Sequence, residues 1–364
     1  LIFDQLREIQ ITDEIGQKAL ESFRERAWLS DLTLASMSAL EGRKTASDVL
    51  KLLEEKQNEE EIGISEQIEF VTDDLEELKT GTITTPGLRF RLKILNQALG
   101  SLRKGDFGFI FARPESGKTT FLASETTFMA EQLQQRRLQE LESLDGSDIP
   151  AILSSAGTRN RLAGPVLWFN NEEQGSKVML RCYQAALGYT LPQLFVDVPT
   201  AKAKYYELTG GLIKIVDRAS ISKQEVEKIC EETQPSLIIF DQIDKIKGFE
   251  ADRNDLALGF IYQWARELAK IYAPVIAVCQ ADGTGEGQKW LTMANVSNAK
   301  TSKQAEADWI LGIGKTHEPG MEYVRYLHLS KNKLVGDSDS IPELRHMKEE
   351  VLIDPEQALY KDIL

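Results

Sequence analysis

Residues 107–120 read Phe-Gly-Phe-Ile-Phe-Ala-Arg-Pro-Glu-Ser-Gly-Lys-Thr-Thr. An apolar run enters a tight turn, and the turn opens onto Gly-Lys-Thr-Thr and a helical stretch. That is the order in which a phosphate-binding loop is built. The turn aims backbone N–H groups inward, and the following helix offers its positive N-terminal end to an anion. Lys118 is expected to reach the β- and γ-phosphates of ATP, and the Thr119 hydroxyl to ligate Mg²⁺. Arg113, Pro114, Glu115, Ser116, Gly117, Lys118, Thr119 and Thr120 form the expected nucleotide-contacting set. The loop departs from the pattern G-x-x-x-x-G-K-[ST] at its first position, Ala112.

A phosphate loop calls for a second, acidic site on a neighbouring strand. Leu237-Ile238-Ile239-Phe240-Asp241 supplies one: four apolar residues, then a carboxylate at the strand end, where open α/β sheets bind ligands. Asp241 is therefore the expected metal carboxylate beside Thr119. The apolar run ending at Phe169 is followed by Asn170-Asn171-Glu172-Glu173, and Glu172 is the candidate base that polarises the attacking water. Gln280 ends the run Val275–Cys279 and can contact a γ-phosphate as donor or acceptor. Lys331 and Lys333 stand at i, i+2 at another strand end, so on an extended strand they share a face. Two cations there suit a phosphate held by a neighbouring subunit. Taken singly, each position also has a purely structural reading. Asp241 can cap a helix, Glu172 can be a solvated turn acid, Gln280 a polar strand end, and the lysines solvated charges.

The elements that must carry these groups follow from the apolar pattern. Unbroken apolar strands are expected at 107–112, 165–169, 212–216, 237–240, 274–279, 309–313 and 323–330. Helices are expected at 119–137, 178–187, 223–233 and 256–272. Apolar strands separated by helices indicate an α/β fold with a mainly parallel sheet covered on both faces. Segment 131–163 interrupts this rhythm and reads as a surface insertion, an extended helix and a loop. Residues 281–289 form a glycine-rich loop, and a second polar stretch runs from Asn295 to Lys303; small side chains and exposed N–H groups there suit a nucleic-acid backbone.

Residues 1–57 read as a helical N-terminal region. Residues 58–81 form an acidic linker and helix, and residues 82–364 the main domain. In the linker Ile64, Ile68, Val71, Leu75 and Leu78 step by 4, 3, 4 and 3, forming one narrow helical stripe. Glu66, Glu69, Asp73, Asp74, Glu76 and Glu77 occupy the other face. Such a helix either lies on its own domain or docks on a neighbouring subunit.

The 364 residues carry a net charge of −14, with 42% hydrophobic and 27% charged residues. Residues 51–79 alone hold eleven acids against three lysines. The global charge argues against general nucleic-acid affinity and leaves room for a locally lined channel. No apolar run reaches the roughly 18–20 residues of a membrane span. Cys182, Cys230 and Cys279 lie far apart and read as reduced core thiols, with a cytoplasmic setting expected. The chain opens on Leu1, so a longer parent protein with a further N-terminal module is expected.

In this order the motifs resemble the ATPase domain of the DnaB-type replicative helicases, RecA-like ring motors, including their phage relatives. The resemblance runs from about Thr82 to Asp337 and is closest over Gly100–Phe121, including the Ala at the loop's first position. It implies a RecA-like P-loop NTPase domain preceded by a linker helix, with ATP and Mg²⁺ as cofactors. It implies a homo-hexamer moving 5′→3′ on single-stranded DNA at a replication fork, with primase and a helicase loader as partners and no membrane. Glu172, Lys118, Gln280, Lys331 and Lys333 take the catalytic positions by this likeness. Ser297–Asp308 resembles the segment with the DNA-contacting loop, which points to Asn298, Lys300, Thr301 and Lys303 as DNA contacts. Two positions depart from the family: Lys333 stands where Arg is usual and lacks the bidentate fork, and Asn298-Ala299 replace Arg-Glu. The poor N-terminal match favours a phage protein in a bacterial host cytoplasm. The alternatives are a recombinase or clock-type ATPase of the same fold, and a non-catalytic helicase-associated ATP-binding protein.

Overall fold

A computed structural model describes residues 13–40, 42–43, 45, 47–50, 53, 73–79, 86–143, 163–249, 251, 253–298, 300–334, 336 and 342–363. The chain divides into two units, Leu1–Lys79 and Thr80–Leu364. In the first, helix α1 (Asp13–Leu40) is continuous, and Gly42 follows it at φ 76°. Of the acidic linker, the short helix α2 (Leu75–Lys79) is described, with Leu75 exposed. Ile64, Ile68 and Val71 of the expected stripe lie outside the described residues.

The second unit is a nine-stranded sheet in the order β3-β2-β4-β5-β1-β6-β7-β8-β9. The strands are β1 (Phe107–Ala112), β2 (Val166–Asn170), β3 (Ile213–Asp217), β4 (Leu237–Asp241), β5 (Val275–Gln280), β6 (Trp309–Gly314), β7 (Val324–Asn332), β8 (Lys348–Asp354) and β9 (Leu359–Asp362). The first six run parallel, and β6 through β9 pair antiparallel. The seven expected strands form within a residue or two of their predicted ends.

Period-two alternation explains how the central strands serve two cores. Phe107, Phe109 and Phe111 of β1 pack on one face with Ile238 and Phe240 of β4. Ile110 and Ala112 point to the other face with Leu237 and Ile239. Gly108 is required on that second face, because a Cβ there would fall 2.0 Å from the Trp309 ring. Helix α9 (Asn254–Ile271) covers the phenylalanine face through Leu258, Ile261, Tyr262 and Ala265. On the opposite face lie α3 (Lys93–Leu99), the long α4 (Lys118–Glu142) and α5 (Gly175–Leu187). Helix α8 (Lys223–Thr233) opens with a capping box between Ser222 and Glu225.

The sequence reading missed some elements. Helix α4 runs five residues past the expected Arg137, and residues 144–162 of the predicted insertion lie outside the described residues. Helices α6 (Leu191–Val196) and α7 (Val198–Thr209) were not expected. Strands β8 and β9 carry exposed charges between their buried residues, so they lack the apolar runs that mark buried parallel strands. Cys182, Cys230 and Cys279 are buried free thiols, and burial pushes each up to about 12.

Candidate nucleotide site

The candidate groups meet at the carboxyl ends of the parallel strands. Register places them in a row. Asn170 of β2 pairs with both Asp217 of β3 and Asp241 of β4, and Gln280 of β5 pairs with Ala112 of β1. β5 therefore lies between the metal carboxylate and the phosphate loop.

The loop spans Arg113–Gly117 between β1 and α4. Two residues take left-handed backbone, Glu115 at φ 59° and Gly117 at φ 97°. Glycine at 117 is needed twice over. Its φ is unfavourable for any residue with a Cβ, and a Cβ would fall 2.6 Å from Ile353 and 2.7 Å from the Tyr360 hydroxyl. Lys118 is buried at the first position of α4, and its Nζ donates to the carbonyls of Arg113 (3.3 Å) and Ala112 (3.4 Å). The ammonium thus folds over the concave side of the loop. Burial pushes its pKa below the ordinary value, while Glu172 and Asp241 pull it back. Thr119 and Thr120 follow in the first turn, half-buried. Arg113 leans away from the loop: its Nε donates to Glu286 Oε2 at 2.9 Å and its Nη1 to Ala281 O at 3.1 Å.

Asp241 is 1% exposed, and neither carboxylate oxygen has a hydrogen-bond partner. Burial pushes it up to about 7, the negative charge of Glu172 adds to this, and Lys118 opposes it. A buried carboxylate with both oxygens unsatisfied is costly alone. It fits a hard divalent cation, which takes one or two carboxylates and completes its shell with phosphate oxygens and water. Among the described residues no group of three or more His, Cys, Asp or Glu side chains gathers to hold a metal by itself. That too suits a cation shared with a phosphate chain.

The two glutamates after β2 have separate positions. Glu173 is tied to the Arg181 guanidinium through both carboxylate oxygens. Glu172 is exposed, and its Oε2 accepts from Gln242 Nε2 at 2.7 Å. Gln242 is a residue the sequence reading missed. It follows Asp241 directly, is 4% exposed and takes φ 69°, and Asn171 Nδ2 donates to its carbonyl at 3.0 Å. Strain of that kind concentrates where a chain fixes a functional group. No motif signals it; only the left-handed turn after β4 brings the amide to Glu172.

Gln280 is half-buried, and its carbonyl accepts from Ser297 N at 3.0 Å, so the polar stretch after Asn295 starts at the end of β5. Asn298 is exposed at φ 50°, Lys300 opens helix α10 (Lys300–Glu306), and Thr301 is exposed. Lys303 departs from the expectation. Its side chain is fully buried, with Nζ 2.6 Å from Asp244 Oδ2, 3.0 Å from Ser297 O and 5.2 Å from the Tyr262 ring centre. An ammonium enclosed by a carboxylate, a carbonyl and an aromatic face has no direction left for a phosphate, so Lys303 leaves the set of candidate DNA contacts.

Lys331 and Lys333 lie at the opposite end of the strands. Asn332 pairs with Trp309 and Lys331 with Ile310, near the amino end of β6, whereas the loop follows Ala112, which pairs with Ile313. Three residues of strand separate the two levels, roughly 10 Å along the sheet. Lys331 is half-buried and donates to the carbonyls of Gln304 and Ala305, at the C-terminal end of α10; Lys333 is exposed. Burial and the neighbouring Lys333 push the Lys331 ammonium down. The pair does share a locality, as the i, i+2 spacing predicts, and it faces away from the phosphate loop of its own chain.

A family model described as an AAA domain matches residues 75–285. No curated protein sequence matches the chain. Among solved structures, the fold is similar to an ATPase domain solved by itself, with TM-score 0.58 and 14% identity over 79% of this chain and 95% of that one. It is also similar to a structure of a DnaB-like replicative helicase and its interactions with primase. There the TM-score is 0.62 and the identity 15%, over 98% of this chain and 81% of that one. The expected RecA-like α/β fold is the fold these structures share with this chain.

Proposed function

The chain belongs to the AAA domain family, and from that premise we propose that it is an ATP-driven replicative DNA helicase. The observation that carries the reading is Asp241, a buried carboxylate with two unsatisfied oxygens, set beside Glu172 and the loop lysine at the carboxyl ends of the central strands. The backbone N–H groups of the loop and the Lys118 ammonium bind the phosphates of ATP. Thr119 and Asp241 hold Mg²⁺, which when bound neutralises charge on the β- and γ-phosphates. Glu172, oriented by Gln242, takes the proton of the attacking water. Gln280 stands between metal carboxylate and loop and senses the γ-phosphate.

Lys331 and Lys333 cannot serve the loop of their own chain across the depth of the sheet. They complete the site of an adjacent copy, so the working form is a ring, proposed to be a hexamer. DNA runs through its channel against Asn298, Lys300 and Thr301. The likeness to a DnaB-like replicative helicase supports 5′→3′ movement on single-stranded DNA, and a primase as partner. Lys118→Ala tests the reading. The wild-type chain should hydrolyse ATP faster with single-stranded DNA present and unwind a forked duplex, and the variant should do neither. Unwinding by Lys118→Ala with ATP as sole fuel would overturn the proposal, as would nucleotide-bound particles that form open filaments rather than closed rings.

A further inference from the structure

The phosphate loop touches the antiparallel half of the sheet, to which neither the motifs nor the proposed chemistry gives a role. Arg325, on β7 and 5% exposed, donates from Nε to the Ser116 carbonyl at 2.8 Å. Tyr360, on β9 and fully buried, places its hydroxyl 3.3 Å from the Gly117 carbonyl and 3.4 Å from that of Ser116. Both side chains are fixed from behind. Arg325 Nη1 donates to the carbonyls of Val324 (2.7 Å) and Glu322 (2.9 Å). The Tyr360 ring meets Phe121 of α4 edge-on at 5.2 Å, and its backbone N–H donates to Ser124 Oγ at 3.1 Å.

Peptide geometry gives these contacts a consequence. In a trans peptide the C=O and the following N–H point in opposite directions. The Ser116 carbonyl shares its peptide plane with the Gly117 N–H, and the Gly117 carbonyl with the Lys118 N–H. Donors that hold the two carbonyls outward, on the side of β7 and β9, turn the two N–H groups inward to the concave face where an anion is bound. The left-handed φ of Gly117 is the torsion that allows this, and Tyr360 and Ile353 occupy the space a side chain there would need.

We propose that Arg325 and Tyr360 are positioning residues for nucleotide binding, which set the Gly117 and Lys118 amides toward the phosphates by anchoring the carbonyls of the same peptides. This rests on the nucleotide-binding reading of the loop. The β7–β9 extension is thereby a working part of the phosphate site and more than an edge cover for the sheet.

The test measures the equilibrium Kd of the full chain for a fluorescent ATP analogue, mant-ATP, with inorganic tripolyphosphate as competitor. Unfolding midpoints without nucleotide are recorded alongside. Tyr360→Phe removes only the hydroxyl, Arg325→Met removes the donor while keeping the aliphatic stem, and Arg325→Lys restores a donor and the charge. Arg325→Met should weaken mant-ATP and tripolyphosphate alike by about tenfold or more, and Tyr360→Phe by a few-fold. Arg325→Lys should recover part of the loss. Tyr360→Phe guards against a folding defect in Arg325→Met, since the hydroxyl contributes nothing to the ring packing. Wild-type Kd in folded Tyr360→Phe and Arg325→Met chains would overturn the inference, even if their midpoints fall. A wild-type chain that takes up no mant-ATP would overturn the proposed function and this inference with it.

Discussion

Asp241→Asn should stabilise the nucleotide-free chain, and the gain should grow with pH. The acid ionises at about 7 in the fold, against an ordinary value of 3.8. Between those values the folded chain holds a proton that the unfolded chain has released, so stability falls as pH rises, and the fall is complete above about pH 7. At about 1.4 kcal/mol per pH unit, the wild-type loss is roughly 2 kcal/mol at pH 5 and about 4 kcal/mol at pH 8. Asn is close in shape and carries no charge at either pH, so its advantage over Asp should rise by about 2–3 kcal/mol across that window. Glu125 is also pushed to about 7 by burial. It is present in both chains and cancels in the difference. Urea unfolding of wild type and variant at pH 5 and pH 8, without nucleotide or Mg²⁺, measures the quantity directly. With saturating ATP analogue and Mg²⁺ at pH 8 the order should reverse, because the wild type alone regains the cost through its metal. An advantage of Asn that is equal at the two pH values would refute the reasoning, since it would mean that Asp241 ionises in the fold as it does in water.

Three further outcomes follow from the same geometry. Glu172→Gln should leave nucleotide affinity within about twofold and lower kcat by about 10²–10⁴-fold, read in a steady-state phosphate-release assay. Gln242→Ala should reduce kcat by about tenfold with little change in nucleotide Kd, because it frees the carboxylate without touching the loop; an unchanged kcat would show that the 2.7 Å contact is idle. Lys303→Met should cost about 3–5 kcal/mol in urea unfolding by leaving Asp244 unpaired, and adding Asp244→Leu should recover most of it.

Strands buried on both faces were legible in the sequence because their apolar runs are continuous, as in Leu237–Phe240. The candidate groups nearest the sheet could be placed for the same reason: Asp241 and Gln280 end such runs, and Lys118 follows a turn whose Ser-Gly-Lys-Thr order is local. Strands β8 and β9 were not legible, since half-exposed antiparallel edges carry charge between buried positions. Lys303 shows the limit for side chains. A lysine in a polar stretch reads as solvated, and nothing local announces that Asp244, fifty-nine positions earlier in the chain, will enclose it.

What the sequence determined by itself was the order of the parts: a strand, a phosphate turn, a helix, and acids at the ends of further strands. These depend on contacts within a few residues, and backbone sterics and burial settle them locally. The tertiary structure alone decided which side chains hold the parts in position. Gln242 reaches Glu172, Arg325 and Tyr360 reach the loop carbonyls, and Lys331 turns to the end of α10. Those partners lie between 26 and 244 positions apart in the chain. Only the strand order of the sheet brings them within a hydrogen bond's length.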